Sequence, residues 1–315
     1  MSPRVFIDGE SGTVGLEIRE RLAARKDLTL LSLESDRRRD VEARRRMLNE
    51  SDAAILCLPD GAAGEAVALV ESNSVAVIDA STAHRTAPGW TYGFPEMAAG
   101  QRGSIAAARR IANPGCWATA FIALVRPLVA AGLVPADWPV SAHGVSGYSG
   151  GSKAMIAEFE DASSPDYTEV PFRLYALGLA HKHLPEMQAY AGLARRPLFS
   201  PAVGRYRQGM LVETPLQLEA LPGSPTPADV RDCLAEAYEG ERFVEVASEA
   251  QAAKIRTLDP ESLNGGNRLR LHVFASERGD QARLVALLDN LGKGAAGAAV
   301  QNLNIVLGLP ETSGL

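Results

Sequence analysis

The residues of this chain best suited to chemistry stand in one stretch, Ile111-Ala112-Asn113-Pro114-Gly115-Cys116-Trp117-Ala118-Thr119-Ala120. An apolar lead-in meets a Pro-Gly turn, a cysteine follows the turn, and residues 118–128 read as helix. Cys116 is thereby expected at a helix N-terminus, where backbone N–H groups and the macrodipole favour thiolate over thiol. A thiolate is a nucleophile at neutral pH. The plainer alternative is a small buried hydrophobe, and the turn weighs against it, because turns rarely supply core cysteines. A thiol nucleophile needs an acid–base partner. His181-Lys182-His183-Leu184-Pro185-Glu186 provides two histidines beside a carboxylate, with Pro185 and Glu186 fitting the first turn of a helix that runs to Ala191. An H-x-H pair can also ligate zinc, but no third ligand lies at zinc spacing, so no metal is expected. Either histidine can equally be a satisfied polar residue.

The elements that position these groups follow from periodicity. Val5-Phe6-Ile7 reads as a strand and residues 16–22 as a helix, with Gly9, Gly12 and Gly15 between them. Strand, glycine turn and helix form the sequence pattern of a dinucleotide fold, in which the pyrophosphate sits on the helix N-terminus; a purely structural glycine turn is the alternative. A second strand, residues 28–33, ends in Glu34-Ser35-Asp36-Arg37-Arg38-Arg39, where such folds read the adenosine ribose. Glu34 suits the 2′-OH of NAD, whereas Ser35, Arg37 and Arg38 suit the 2′-phosphate of NADP, and the phosphate clamp is favoured. A solvated basic loop is the bland alternative. Residues 52–59 and 74–79 are nearly all-apolar strands, as expected when helices cover both faces. Four strands alternating with helices imply a parallel, doubly wound sheet. Its strand C-termini bring the turns at Gly9–Gly15, Pro59–Gly61 and Ser81–Arg85 to one rim. Arg85 is an anion clamp or a surface ion pair.

Beyond Cys116 the texture changes. Residues 139–143 read as a strand, 144–153 as a Gly/Ser loop able to form an anion-binding nest, and 159–169 as loop. Residues 211–218 and 269–276 alternate as antiparallel strands, and 229–238 form an amphipathic helix. Asp289-Asn290-Leu291-Gly292-Lys293-Gly294 leads into a helix of small residues. The expected fold class is α/β: a doubly wound parallel Rossmann domain, 1–115, completed by the C-terminal helix, 291–315, plus an α+β mixed-sheet catalytic and oligomerisation domain, 116–290.

Bulk properties agree with a reduced intracellular enzyme. The net charge of −6 argues against a nucleic-acid or anionic-membrane surface. No apolar run approaches the roughly 18 residues of a membrane span. Three widely spaced cysteines, Cys57, Cys116 and Cys233, form no disulfide framework. With no leader segment read at the N-terminus, the expectation is cytoplasmic.

With these residues in hand, the chain resembles the N-acetyl-gamma-glutamyl-phosphate reductase family in its shorter form. The likeness is carried by residues 7–15, Ala112-Asn113-Pro114-Gly115-Cys116, Gly147-Tyr148-Ser149-Gly150-Gly151, His181-Lys182-His183-Leu184-Pro185-Glu186, and 289–294 through Gln301-Asn302. Related semialdehyde dehydrogenases share the fold without the His-x-His-x-Pro-Glu block. The resemblance implies a catalytic domain like that of glyceraldehyde-phosphate dehydrogenase and a phosphorylating, NADP(H)-dependent reduction in arginine biosynthesis. An N-acetylglutamyl 5-phosphate would form a cysteine thioester, release inorganic phosphate and leave as the semialdehyde. It implies Cys116 as nucleophile, His181 as acid–base with His183 in reserve, and Glu186 in support. Cofactor contacts are expected from Gly9, Ser11, Gly12, Thr13 and Val14, from Ser35, Arg37 and Arg38, and from Pro59, Ser81, Asn290 and Gly292. Substrate contacts are expected from Arg85, Asn113, Ser146 and Gly147, and from Tyr148, Tyr175 and His183. The implied partners are small molecules and further copies of the chain, as homodimer or homotetramer. An aspartate-semialdehyde dehydrogenase and a non-catalytic dinucleotide sensor are the competing readings; turnover of the shorter semialdehyde marks the first, and cofactor binding indifferent to Cys116→Ser the second.

Overall fold

The N-terminal strand β1 (Arg4–Asp8) is buried from Val5 onward and runs into the turn that starts α1 (Thr13–Ala23). The computed structural model describes residues 2–315. They divide into two units, residues up to Gly115 with Ala295–Leu315, and Cys116–Gly294. In the first unit β2 (Thr29–Leu31), α2 (Val41–Glu50), β3 (Ala53–Leu56), α3 (Asp60–Ala68) and β4 (Ala76–Asp79) continue the alternation. Three further elements follow: β5 (Thr91–Tyr92), α4 (Gln101–Ala107) and β6 (Arg110–Ala112). All six strands are parallel, in the order β2-β1-β3-β4-β6-β5. The sheet thus exceeds the four strands read from sequence. β5 and β6 are too short to show a hydrophobic period, and β2 is shorter than the 28–33 expected.

The central strands are apolar between their ends because both faces are covered. On one face Ile7, Ile55 and Ile78 pack with Ile18 and Leu22 of α1 and with Val300 and Leu303 of the C-terminal helix (Gly297–Val306). On the other face Phe6, Ala54 and Val77 pack with Met47 and Leu48 of α2. Asp40 caps α2 by accepting from the Ala43 amide at 3.0 Å, which holds its carboxyl below the usual carboxylate range.

The second unit opens with α5 (Cys116–Ala130), eleven of whose fifteen residues are buried. Pro127 inside it cannot donate to the Ala123 carbonyl; the Tyr238 hydroxyl donates there instead, at 3.0 Å. Next come β7 (Ser141–Gly147), α6 (Ser152–Glu160), β8 (Phe172–Leu174), α7 (Leu184–Ala191), β9 (Leu198–Gly204) and β10 (Met210–Gln217). They are followed by α8 (Pro227–Ala237), β11 (Val244–Val246), α9 (Glu249–Ala252), β12 (Leu269–Ala275) and β13 (Gln281–Leu288). The strands form one mixed sheet, β11-β12-β13-β10-β7-β9-β8, on which α5 and α8 pack.

Two loop readings are corrected here. Residues 144–147 belong to β7, paired with both β9 and β10, and Ser152 already starts α6. The glycines masked this strand, whose register is set by its neighbours rather than its own period. Phe159 and Glu160 close α6 rather than open a loop. Among the described residues no helix is long and apolar enough to cross a membrane.

Candidate active site

In the first unit the glycine turn is shaped by close approach. Gly9 adopts φ +88°, and a Cβ there would collide with the Cys57 carbonyl oxygen at the end of β3. A Cβ on Gly15 would collide with the Gly9 carbonyl, so α1 sits against the turn itself. Gly12 starts α1 with no side-chain cap, leaving its first-turn N–H groups to something else. Thr13 Oγ1 is buried there without a hydrogen-bond partner. Uncapped amides, an unspent hydroxyl and a glycine surface at the β1/β3 crevice fit a dinucleotide pyrophosphate. Ser11 is exposed on the turn and Val14 packs inward. Pro59 precedes α3, its carbonyl accepting from the Ala63 amide.

Of the ribose-reading set, Ser35 is exposed and Arg37 turns to Asp40 at 3.2 Å. Only Arg38 reaches the glycine turn, at 2.7 Å from Glu10. Glu34 is exposed. The acid beside Arg38 is therefore Glu10, which sequence reasoning did not pair with it because it lies 28 positions away.

The rim after β4 is ordered by a residue also missed. Fully buried Asp79 accepts from the Ser81 amide (2.9 Å) and hydroxyl (2.7 Å), and His84 Nδ1 lies 2.6 Å from the same carboxylate. The His84 ring stacks on Trp90. Arg85 is buried, with Nε donating to the Asn113 carbonyl and Nη2 to that of Ala80. Its charge is thereby fixed in place. Asn113 accepts from the Asn302 amide and donates to the Ala295 carbonyl, both at 3.0 Å. Its side chain thus pins the Asn-Pro-Gly turn.

In the second unit Cys116 is the first residue of α5, so the helix dipole favours its thiolate. The next residue, Trp117, donates its indole N–H to the Tyr175 hydroxyl at 2.9 Å, and that hydroxyl lies 3.3 Å from His181 Nε2. The His183 amide donates to His181 Nδ1 at 3.1 Å. Nδ1 is thus the acceptor, so neutral His181 carries its proton on Nε2, on the side of Tyr175. The His181 ring is held edge-on by His183 and Phe199. Burial, and secondly the negative charge of Cys116, push the Tyr175 phenol up. Trp117, Tyr175 and His181 therefore form one chain beside the cysteine. Sequence reasoning found Cys116, Tyr175 and His181 and missed Trp117 and Phe199.

The remaining predicted residues do other work. Glu186, fully buried in the first turn of α7, adds to the burial that raises the Tyr190 phenol. The amides of Gly147, Tyr148 and Ser149 donate to the carbonyls of Gly209, Tyr206 and Arg207. These three amides of the expected anion nest are thus spent on chain pairing. Ser146 donates to the Gly147 carbonyl, and the Tyr148 hydroxyl to Glu160. Asn290 spends both ends of its amide, on the Gly209 amide (2.7 Å) and the Ser149 hydroxyl (2.9 Å), so it fixes the turn. Gly292 presses on the Gly266 carbonyl, and a Cβ on Gly294 would stand 2.7 Å from Cys116 Cβ. Gly294 thus gives Cys116 its room. Among the described residues no cluster suited to a metal occurs.

Two family models match. Residues 4–104 match the semialdehyde dehydrogenase NAD binding domain, and residues 116–290 the semialdehyde dehydrogenase dimerisation domain. The N-acetyl-gamma-glutamyl-phosphate reductases of Brucella ovis and Brucella canis are each 55% identical over 309 residues, 98% of this chain and all of theirs. Among solved structures, aspartate semialdehyde dehydrogenase II of Vibrio cholerae has a TM-score of 0.74 at 17% identity, covering 98% of both chains. The aspartate semialdehyde dehydrogenase of Candida albicans, solved with NADP, has a TM-score of 0.67 at 14% identity, covering 97% of this chain and 98% of that one. These two share the fold. With the dinucleotide cradle, the thiol at the helix start and relatives matched from end to end, the chain belongs to the semialdehyde dehydrogenase family of oxidoreductases, in its N-acetyl-gamma-glutamyl-phosphate reductase branch.

Proposed function

We propose that this chain reduces N-acetylglutamyl 5-phosphate to N-acetylglutamate 5-semialdehyde with release of inorganic phosphate, using NADP(H) and a thioester on Cys116, as a step of arginine biosynthesis. The observation that carries the reading is the Cys116–Trp117–Tyr175–His181 arrangement at the head of α5. Cys116 attacks the acyl carbon, the C–O bond to the phosphoryl group breaks, and phosphate leaves. The dinucleotide, when bound on the glycine turn through Gly9, Gly12 and Thr13 and on Arg38, supplies hydride to the acyl carbon. His181 Nε2–H donates to the oxygen as negative charge develops there, then takes the proton back as the carbonyl reforms and the Cys116 sulfur departs. His183 positions that ring through its amide, and Tyr175 stands at the proton-bearing nitrogen. A thiol suits the task because thiolate leaves more readily than alkoxide and a thioester accepts hydride more readily than a carboxylate.

Identity of the relatives over the full length supports the acetylated substrate, and the Arg38 side chain supports the phosphorylated cofactor. A second copy of the chain is the expected partner. The open face of the seven-stranded sheet carries a groove of about 1240 Å³ lined in part by Val145, Leu211, Phe274 and Val285, which a second copy would cover. The deciding measurement is the initial rate of N-acetylglutamate semialdehyde oxidation with NADP, with and without phosphate, for the wild type and Cys116→Ser. Phosphate-dependent turnover that vanishes in the variant is the expected result. Turnover of aspartate semialdehyde alone would move the substrate, and phosphate-independent turnover would sink the thioester route.

A further inference from the structure

The glycine turn carries a carboxylate that the proposed reaction leaves unused. Glu10 is buried, its side chain only 8% exposed. It belongs to the turn that faces the pyrophosphate, yet it reaches sideways to the end of β2. Its Oε2 accepts from the Ser32 hydroxyl, one residue beyond that strand, at 3.2 Å. There the adenosine ribose of a doubly wound fold is read, ordinarily by an acidic residue on β2 itself. Two guanidiniums converge on the same carboxylate. Arg38 Nη2 lies 2.7 Å from Oε1 and Arg19 Nη1 lies 3.5 Å from Oε2. Arg38 Nε is enclosed and has no hydrogen-bond partner, so this guanidinium keeps a donor to spend. The neighbouring acids do not share the load. Asp8 is taken by Arg44 at 2.8 Å, Asp40 by Arg37, and Glu34 is exposed.

We propose that Glu10 is the specificity-determining residue for the ribose end of the cofactor, acting as the standing counter-ion of Arg38 for which a 2′-phosphate must compete. The proposal rests on the reading of the first unit as an NADP(H) site. A 2′-phosphate brings a charge of about −1.5 to −2 at neutral pH. Against Arg38 and Arg19 alone that charge is roughly balanced, and with Glu10 present the site falls about one positive charge short of it. A plain 2′-OH reverses the preference, because Glu10 can accept its proton in a hydrogen bond and nothing is repelled. Glu10 therefore narrows the margin by which the phosphorylated dinucleotide is preferred, and Arg38 widens it. The ratio of the two affinities is set by this pair.

The test is calorimetric titration of the full chain with NADP⁺, NAD⁺, adenosine 2′,5′-bisphosphate and 5′-AMP. It compares the wild type with Glu10→Gln, Arg38→Ala and the double variant, with thermal melts confirming each fold. Glu10→Gln retains a partner for the Ser32 hydroxyl and removes only the charge. It should tighten NADP⁺ and the bisphosphate about tenfold while leaving NAD⁺ and 5′-AMP unchanged or a few-fold weaker. In the Arg38→Ala background that tightening should shrink to the part due to direct repulsion by Glu10. Equal shifts for all four ligands would make Glu10 a structural residue of the turn, and weaker NADP⁺ binding in Glu10→Gln would make it a positioner of Arg38; either overturns the proposal. A wild type that binds neither dinucleotide, or NADP⁺ affinity indifferent to Arg38→Ala, would instead bring down the cofactor reading beneath it.

Discussion

Two cysteines of this chain each follow a strand of the parallel sheet. Cys57 comes directly after β3, and Cys116 comes one turn after β6. Both fall in the same intermediate accessibility class, so the class alone does not separate them. Their electrostatic surroundings do. Burial, then the carboxylates of Asp79 and Asp8, push the Cys57 thiol up to about 12. Cys116 instead opens a helix, where partial positive charge gathers. A thiol at the C-terminal end of a strand in a doubly wound sheet meets carboxylates and carbonyls, while a thiol one turn later meets amides. A shift of one turn along the chain decides whether sulfur is inert or reactive.

That contrast can be broken by labelling. At pH 8 a thiol ionising at about 12 is thiolate in roughly one molecule in 10⁴. Iodoacetamide should therefore modify Cys116 at least about 10²-fold faster than Cys57, read by peptide mass spectrometry over time. Burial also raises Cys233, so it should lag with Cys57. Comparable rates at Cys57 and Cys116 would remove the electrostatic account of the site.

Removing the proton carrier comes next in size. His181→Asn keeps a polar group in place but cannot cycle a proton. It should lower kcat by about 10²–10⁴-fold while leaving iodoacetamide labelling of Cys116 within a few-fold. A parallel fall in labelling would mean that His181 generates the thiolate rather than managing the acyl oxygen, and the helix start would not then suffice. A smaller effect is expected at the group between them. Tyr175→Phe leaves the Trp117 indole N–H without its acceptor and loosens His181 on one side. A loss of about 1–3 kcal/mol in transition-state stabilisation, roughly 5- to 150-fold in kcat/KM, should follow. An unchanged kcat/KM would detach the hydroxyl from the site.

How much of this was written in the sequence varies with the range of the forces involved. The β1–glycine–α1 unit was legible, because a strand, a turn and an amphipathic helix are local and periodic. So was the start of α7, where Pro185 and Glu186 mark a helix N-terminus. The strands of the first sheet that are buried on two faces, β1, β3 and β4, declared themselves by apolar runs. The partners that tune the chemistry were not legible. Trp117 meets Tyr175 across 58 positions and Ser149 meets Asn290 across 141. No local pattern encodes either pairing, which only the sheet register brings about. The Gly/Ser stretch misled for a related reason. Glycine looks like a loop signal, yet in β7 a Cβ on Gly144 would strike the Trp117 ring, and one on Gly147 the backbone of Arg207. Small residues there permit packing rather than motion.

The smallest effect expected lies beneath the reactive cysteine, in the helix that carries it. Pro127 deprives the Ala123 carbonyl of its helical donor, and the Tyr238 hydroxyl takes that role from 115 residues away. Tyr238 is itself buried, so its replacement by phenylalanine keeps the ring and removes only the bond. The carbonyl is then left unsatisfied inside protein, at a cost of about 1–3 kcal/mol. For a chain of this size that is a drop of a few degrees in Tm, measurable by calorimetry. Labelling of Cys116 should stay at the wild-type rate, because the first turn of α5 is two turns from the defect. If Tyr238→Phe slows labelling as well, α5 transmits strain along its length, and the reactivity of Cys116 is a property of the whole helix rather than of its first turn.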